Sequence, residues 1–269
     1  MVKIKNITKI FEQGTINENI AIKNIDLTIN EGDFITIIGS NGAGKSTLFN
    51  LISGNILPTT GKIYVDDKEI TKDPEHKRAK YIGRIFQNPL LGTASNMSIE
   101  ENMMIANKKG MRGLSLSLNH KIKTVFQKEL EQLDMHLEDR LKNSVGLLSG
   151  GQRQALTLLM MVFSKPRLIL LDEHTAALDP KNAEIVLQLT DKFVKEYKLT
   201  AMMITHNMNS AIQYGNRLLM MDKGEVIFDV VGEEKKNLTV EKLVNKFHEL
   251  RHVSFQTDKV LLSEKYNTD

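Results

Sequence analysis

The sequence predicts an α/β fold built on a parallel sheet. Short apolar runs alternate along the chain with segments of helical periodicity, and this alternation favours parallel strands joined by helices. Two of the runs, Asp33–Ile38 and Arg167–Asp172, are rich in consecutive β-branched or aliphatic residues, which suits strands buried on both faces. A glycine-rich turn, Gly39–Gly44, leads from the first of them into a helix.

The elements are placed in order by their periodicity. The predicted strands are Met1–Asn6, Ile20–Ile29, Asp33–Ile38, Lys62–Val65, Tyr81–Phe86, Arg167–Asp172, Thr200–Thr205 and Arg217–Asp222. The predicted helices are Lys45–Ser53, Ile122–Leu133, Gln152–Phe163, Pro180–Tyr197 and Thr239–Leu250. Gly54 is the expected C-cap of the first helix.

The character of the chain changes between about residues 88 and 165, where polar, Met-rich and periodic segments predominate. We therefore expect a mainly helical subdomain inserted into one domain that covers residues 1–235. Residues 236–269 are expected to form an amphipathic C-terminal helix and a tail, and Phe255–Asp269 is uninformative.

Composition excludes several classes of protein. The chain has no cysteine, so disulfides and thiolate metal sites are ruled out. Its net charge is only +3, without a clustered basic face, which disfavours a nucleic-acid partner. No apolar run approaches the roughly 20 residues of a spanning helix, and no signal peptide is recognisable. We expect a protein that stays inside the cell and reaches a membrane only through a partner.

The first chemical motif along the chain is a P-loop, which Thr47 follows. Its residues are Gly39, Ser40, Asn41, Gly42, Ala43, Gly44, Lys45 and Ser46. Its glycines let backbone N–H groups converge on phosphate oxygens, and the following helix directs its N-terminal dipole at the same charge. Lys45 is expected to reach the β- and γ-phosphates, and the Ser46 hydroxyl to bind Mg²⁺. The alternative is a structural turn with unrelated glycines.

A second motif, Leu168–Glu173, is an apolar strand that ends in two carboxylates. Open parallel sheets bind ligands at the carboxyl ends of their strands. Asp172 would hold Mg²⁺ through water, and Glu173 would polarise the attacking water as a general base. A buried strand followed by an acidic turn is common, so this motif depends on the P-loop for its meaning.

The segment Leu148–Gln152, Leu-Ser-Gly-Gly-Gln, is the third motif and is called the signature segment below. Ser149 is a good N-cap residue, and Gly150 and Gly151 expose backbone N–H groups. The segment therefore predicts a second anion-binding helix start.

With these three motifs in this order, the chain resembles the nucleotide-binding subunits of ABC transporters over roughly residues 1–235. The resemblance implies a P-loop NTPase core with a parallel sheet, an antiparallel β subdomain and a helical subdomain that carries the signature. It also implies ATP and Mg²⁺, and a head-to-tail homodimer. Each ATP would lie between one P-loop and the partner's signature, where Ser149, Gly150, Gly151 and Gln152 would bind the nucleotide.

Four single residues gain a role from the resemblance alone. Gln87 matches the glutamine that binds Mg²⁺ and links to the transport domains, and His206 matches the switch histidine on the γ-phosphate. Asp179 matches the aspartate at the dimer interface. Phe11 lies where the family stacks an aromatic ring on adenine, although tyrosine is more usual there.

Each of these four residues also has a structural alternative. Gln87 could be an ordinary loop residue, and His206 a structural histidine. Asp179 precedes Pro180 and could cap the next helix, a role compatible with the first. Phe11 could be a core aromatic in a strand.

The segments Asp172–Pro180 and His206–Met208 further resemble a subgroup of importers assigned to tryptophan or tyrosine. His174 departs from the general pattern, in which proline is common. The expected function is therefore ATP hydrolysis that energises a membrane importer for an amino acid or similar solute. Its expected partners are permease subunits and, indirectly, a solute-binding protein, at the cytoplasmic face of the membrane.

Three other functions are compatible with an ATP-binding cassette. A DNA-repair or chromosome ATPase usually carries long coiled coils or extra modules between P-loop and signature, whereas here only about 110 residues separate them and no basic patch is present. A translation factor would need two cassettes in tandem. A regulatory module that only binds ATP is disfavoured because Lys45, Glu173 and His206 are all present.

Overall fold

The computed structural model describes residues 1–107 and 120–250. Its strands are β1 (Val2–Phe11), β2 (Asn19–Ile29), β3 (Phe34–Gly39), β4 (Thr60–Val65), β5 (Lys68–Glu69), β6 (Ile82–Ile85), β7 (Leu168–Asp172), β8 (Ala201–Ile204), β9 (Arg217–Asp222) and β10 (Glu225–Val231). Its helices are α1 (Lys45–Ser53), α2 (Glu75–Arg78), α3 (Ile99–Asn107), α4 (His120–Glu131), α5 (Gly150–Ser164), α6 (Pro180–Glu196), α7 (Met208–Gln213), α8 (Gly232–Lys236) and α9 (240–250). The predicted α/β class is confirmed.

The central sheet has six strands in the order β10-β9-β3-β8-β7-β6. Strands β9, β3, β8, β7 and β6 run parallel, and β10 closes one edge antiparallel to β9. The carboxyl ends of the parallel strands meet at one edge of the sheet, so residues that directly follow different strands lie near one another. This edge carries the candidate site.

A second sheet is antiparallel, in the order β2-β1-β4-β5. Its inner side chains pack together with α1 and one face of the parallel sheet in a common apolar core. The members of that core include Ile4, Ile22, Ile29, Ile37, Leu48, Phe49, Ile63, Leu170 and Ile204. The antiparallel sheet therefore forms a layer over α1, which brings the loop between β1 and β2 close to the P-loop.

Helices α3, α4 and α5 pack on the opposite face of the parallel sheet. Helix α5 is the centre of this region, because Leu156 and Leu159 are fully buried between α4 and the sheet residues Ile169 and Leu171. The signature segment lies at the N-terminus of this helix. Its position is thus fixed by packing against the sheet rather than by the P-loop.

Helix α9 confirms the amphipathic spacing read from the sequence. Leu243 is fully buried against β9 and β10, and Phe247 packs beside it. The segment Phe255–Asp269 lies outside the described residues. None of the helices in residues 1–107 and 120–250 is long and apolar enough to cross a membrane.

Predicted and observed elements agree closely where a local signal marks the boundary. Helix Lys45–Ser53 and strand Arg217–Asp222 have the predicted limits, and Gly54 is the left-handed C-cap of α1. Strand β10, by contrast, was not predicted. It forms by antiparallel pairing with β9 across the turn at Lys223 and Gly224, and that pairing depends on a partner strand.

Candidate functional site

One cavity of about 310 Å³ lies at the carboxyl edge of the parallel sheet. It brings together three segments that are far apart in sequence: the P-loop, the end of β7 and the residue after β8. Its lining residues are Phe11, Asn19, Ala21, Asn41, Gly42, Ala43, Gly44, Lys45, Ser46, Thr47, Glu173 and His206. The cavity thus contains most of the residues that one chain is predicted to contribute to ATP binding and hydrolysis.

The N-terminus of α1 opens onto this cavity with its backbone N–H groups uncapped. Its N-cap residue, Gly44, has φ of 98° and makes no side-chain cap, and the first turn contains no acidic residue. A Cβ atom at this position would lie 2.6 Å from the carbonyl oxygen of Ala21, so glycine is required. The first N–H groups of a helix lack intrahelical partners, and the helix dipole favours an anion beside them. This arrangement fits a phosphate group.

Lys45 lies folded over the P-loop. Its Nζ donates hydrogen bonds to the carbonyl oxygens of Gly39 at 2.8 Å and Ser40 at 2.9 Å. Burial lowers the pKa of Lys45, and the carboxylates of Glu173 and Asp172 counter part of that shift. The ammonium group is therefore near both carboxylates and within the phosphate cradle, as its predicted role requires.

Glu173 and His206 form a close pair on the wall of the cavity. The Oε1 atom of Glu173 lies 2.6 Å from Nε2 of His206, and the Glu173 side chain is 17% exposed. The backbone of Glu173 is in the left-handed region, with φ of 47°, and its N–H donates to the carbonyl oxygen of Ile204. A non-glycine residue in this region is strained and persists only where its surroundings hold it. A strained backbone and a close carboxylate–histidine pair therefore coincide at Glu173.

The three predicted metal ligands come from three elements at the carboxyl edge of the sheet, and of the three only Ser46 is in the described lining of the cavity. Ser46 lines the cavity on α1, Asp172 is the last residue of β7, and Gln87 is exposed two residues after β6. A hydroxyl, a carboxylate and an amide carbonyl are oxygen ligands, and Mg²⁺ prefers such ligands together with phosphate oxygens. The donor set therefore fits Mg²⁺.

The signature segment is not part of this cavity's described lining. Ser149 caps α5 as predicted: its Oγ accepts from the N–H of Gln152 at 3.2 Å, and the Gln152 Oε1 accepts from the N–H of Ser149 at 3.1 Å. A Cβ atom at Gly151 would lie 2.9 Å from the side chain of Asn182. Within one copy, the signature packs on the start of α6 instead of facing the P-loop.

Asp179 is the N-cap of α6, which confirms the structural alternative for this residue. Its Oδ1 accepts from the N–H of Asn182 at 3.1 Å, and its Oδ2 accepts from the Asn182 side chain at 2.6 Å. These hydrogen bonds, led by that from the Asn182 side chain, lower the pKa of Asp179. The same Asn182 contacts Gly151, so this cap and the signature share a neighbour.

Phe11 lies at the end of β1 and is 36% exposed, so it is not a core aromatic. The Lys9 ammonium lies 5.0 Å from its ring centroid. Asn19 pairs with Phe11 across the two strands and also lines the cavity. Sequence reasoning missed Asn19, because only the pairing of β1 with β2 places it there.

His174, the departure from the family pattern, points away from solvent and is fully buried. Its Nε2 lies 3.1 Å from the hydroxyl oxygen of Thr190 on α6. Burial lowers the pKa of His174 to about 4, so the imidazole is neutral at physiological pH. This histidine ties the loop after β7 to α6.

Two further residues near the site were missed by sequence reasoning. Arg84 on β6 donates to Asp172, and Asp222 at the end of β9 accepts from the Ser40 hydroxyl at 2.9 Å. No motif marks either residue. Their only sequence signal is a charged or polar side chain in or next to a strand otherwise rich in apolar residues.

A larger cavity, of about 850 Å³, lies at the opposite edge of the sheet. It is lined by residues that precede the parallel strands, among them Tyr81, Arg167 and Thr200. None of the predicted catalytic or nucleotide-binding residues is among its described lining. Chemistry, not volume, identifies the smaller cavity as the site.

Comparison with known proteins agrees with this geometry. Residues 22–176 match the model of the family described as ABC transporter. The chain belongs to this family. An ABC ATPase of this kind binds and hydrolyses ATP and serves a transporter.

Two relatives and one solved structure illustrate the similarity. A tyrosine transport ATP-binding protein of Clostridioides difficile is 46% identical over 248 residues, covering 92% of this chain and 98% of the relative. An energy-coupling factor transporter ATP-binding protein of Clostridium acetobutylicum is 31% identical over 269 residues, covering 96% and 92%. A dimeric cassette, solved in a post-hydrolysis state bound to ADP and Pi, has a TM-score of 0.69 at 30% identity. It covers 86% of this ABC ATPase and 98% of its own chain.

Proposed function

We propose that this chain is the ATP-hydrolysing subunit of a membrane importer for an amino acid or a similarly small solute. The cavity in which Lys45, Glu173 and His206 meet carries the proposal, because it combines a phosphate cradle with a carboxylate–histidine pair. The substrate class is supported by the tyrosine transport relative, which matches this chain over nearly its whole length.

The residues of a single chain have separate roles toward one nucleotide: phosphate binding, adenine stacking and activation of water. The P-loop residues Gly39–Thr47 bind the phosphates through backbone N–H groups, and Lys45 contacts the β- and γ-phosphates. Phe11 stacks on the adenine. Glu173 accepts a proton from the attacking water, and His206, hydrogen-bonded to Glu173, contacts the γ-phosphate.

Ser46, Asp172 and Gln87 are the residues that would hold Mg²⁺. When bound, the ion neutralises negative charge on the phosphates. Asp172 presents its carboxylate from the end of β7, and Ser46 presents its hydroxyl from the first turn of α1. Gln87, at the start of the loop after β6, connects this place to the helical subdomain.

A second copy completes the site. Ser149, Gly150, Gly151 and Gln152 are not among the residues that line the cavity of their own chain, and we infer that they contact the nucleotide of a head-to-tail partner. Asp179 would lie at the same dimer interface while still capping α6. The dimeric state of the solved cassette with ADP and Pi supports this arrangement.

The importer also needs membrane subunits. We place the homodimer peripherally at the cytoplasmic face, bound to permease subunits that receive solute from a solute-binding protein. Residues 1–235 form the ATPase domain, with the helical subdomain at about 88–165. Residues 236–269 form an additional C-terminal helix and tail. Nucleic acid is not a partner in this proposal.

Glu173→Gln tests the chemistry. The amide cannot accept the proton of the attacking water, so the hydrolysis rate should fall about 100-fold or more while ATP still binds. The blocked protein should accumulate as a dimer with Mg-ATP, which light scattering would detect. Glu196→Gln, at the far end of α6, is the matched control and should hydrolyse ATP at the wild-type rate.

Two results would contradict the proposal at different points. An unchanged hydrolysis rate in Glu173→Gln would remove Glu173 as the base.

For the substrate class, the chain should be purified with its membrane partners in vesicles and assayed for uptake of labelled tyrosine. Hydrolysis that responds to DNA, and not to any amino acid, would favour the nucleic-acid alternative instead.

A further inference from the structure

Arg84 forms an ion pair with Asp172, the carboxylate proposed to bind the metal. Its Nη2 donates to Oδ2 of Asp172 at 2.6 Å, and only 11% of the Arg84 side chain and 14% of the Asp172 side chain are exposed. The guanidinium group also lies 4.9 Å from the ring centroid of Phe86. This ion pair is largely shielded from solvent, so its electrostatic effect is weakly screened.

The same guanidinium contacts the helix that begins in the P-loop. Its Nη1 donates to Oδ1 of Asn50 at 2.6 Å. Asn50 follows Ser46 by four residues on α1, so the two side chains share one face of the helix. Arg84 therefore lies between Asp172 and the turn of α1 that follows Ser46. These are the two elements that supply the hydroxyl and the carboxylate for the metal.

This position has an electrostatic consequence. Without nucleotide, the charge of Asp172 is already balanced by Arg84, and a divalent cation at Asp172 would also be repelled by the guanidinium. Mg²⁺ is usually held by one or two carboxylates together with substrate phosphates. In this site the phosphates would supply the negative charge that Arg84 cancels on Asp172.

We propose that Arg84 is the internal counter-ion of Asp172 and keeps divalent cations off this carboxylate until nucleotide phosphates are present. Arg84 is thus a positioning residue, which makes metal binding depend on ATP. The inference rests on the metal-binding role of Asp172 in the proposed function.

The test measures Mn²⁺ binding directly, by the electron paramagnetic resonance signal of free Mn²⁺, with nucleotide-free protein. Arg84→Met removes the charge and keeps an unbranched apolar stem. It should bind Mn²⁺ about tenfold more tightly than the wild type, since an opposing charge is removed. Arg84→Lys keeps the charge and should bind as weakly as the wild type. With a non-hydrolysable ATP analogue, the difference between Arg84→Met and the wild type should shrink.

Two controls separate the possible failures. Adding Asp172→Asn to Arg84→Met should abolish the gain in Mn²⁺ affinity. Arg84→Gln, which can still donate to Asn50, provides a second neutral variant if Arg84→Met does not fold. The inference is overturned if folded neutral variants bind Mn²⁺ no more tightly than the wild type. If Asp172→Asn alone leaves Mn²⁺ binding with the ATP analogue unchanged, the metal role of Asp172 fails instead.

Discussion

The protein contains two helix N-termini suited to phosphate, and they differ in how they are capped. Helix α1 starts at Lys45 behind a glycine N-cap, with no side-chain cap. Helix α5 starts at Gly150 behind Ser149, with a complete capping box in which Ser149 and Gln152 satisfy each other's N–H groups. The first helix opens onto a cavity without a side-chain cap, whereas the capping box of the second uses the N–H groups of Ser149 and Gln152 but not those of Gly150 and Gly151.

This difference indicates that the two helix N-termini depend on an anion to different degrees. The uncapped N-terminus of α1 gains most from an anion, so it can bind nucleotide in a single copy. The signature helix is stable without a ligand because its own side chains cap it. The N–H groups of Gly150 and Gly151, which the capping box does not use, would be the donors for a partner's phosphate in the proposed dimer.

Among changes at the two helix N-termini, removing Lys45 should produce the largest effect, because it weakens phosphate binding at the uncapped start of α1. Lys45→Met loses charge-assisted hydrogen bonds to phosphate and should weaken ATP binding about 10- to 100-fold. Titration with a fluorescent ATP analogue would measure it. Lys181→Met, at an exposed position on α6, should bind ATP like the wild type. ATP affinity at the wild-type level in Lys45→Met would refute the assignment of this cradle.

Gly151→Ala should have a smaller effect, confined to the capped cradle. The added methyl group would meet Asn182 at 2.9 Å and displace the start of α5, so hydrolysis by the dimer should fall about tenfold. ATP binding to the single copy should not change. Adding Asn182→Ala should recover part of the activity. A double variant no better than Gly151→Ala would show that the contact with Asn182 is not what matters.

Variants of Ser149 should have the smallest effect, and they distinguish its role in capping α5 from its proposed role in phosphate binding. Ser149→Ala loses the cap and should lower the free energy of unfolding by about 1 kcal/mol, measured with urea. Ser149→Asp restores a capping oxygen and should recover that stability. Its negative charge would repel a partner's phosphate, so hydrolysis should stay low. If Ser149→Asp hydrolysed ATP normally, the serine would have only a structural role.

Local signals in the sequence predicted the elements that they themselves form. Ser149 and Asp179 were recognised as N-cap residues because a cap uses donors two or three residues away. The P-loop and helix α1 were predicted because the residues that define them are also neighbours in the sequence. Strand β10 was missed, since its antiparallel pairing with β9 is not encoded by its own periodicity.

The candidate site shows the same limit. The chain order of the motifs was enough to expect Lys45 and Glu173 near one nucleotide, because parallel strands end at one edge of a sheet, whereas His206 was expected from the family resemblance. It did not indicate the left-handed backbone of Glu173 or the contact of Gly151 with Asn182. Both depend on how β7, α5 and α6 pack together.

By itself, the sequence predicted the two helix starts suited to phosphate, the carboxylates at the end of β7 and the family to which the chain belongs. These features consist of residues that act within a few positions of one another. Only the tertiary structure decided that Arg84 would neutralise Asp172, a residue 88 positions away. The pairing of β6 with β7 and the position of α1 beside them bring these side chains together, and no spacing in the sequence specifies that arrangement.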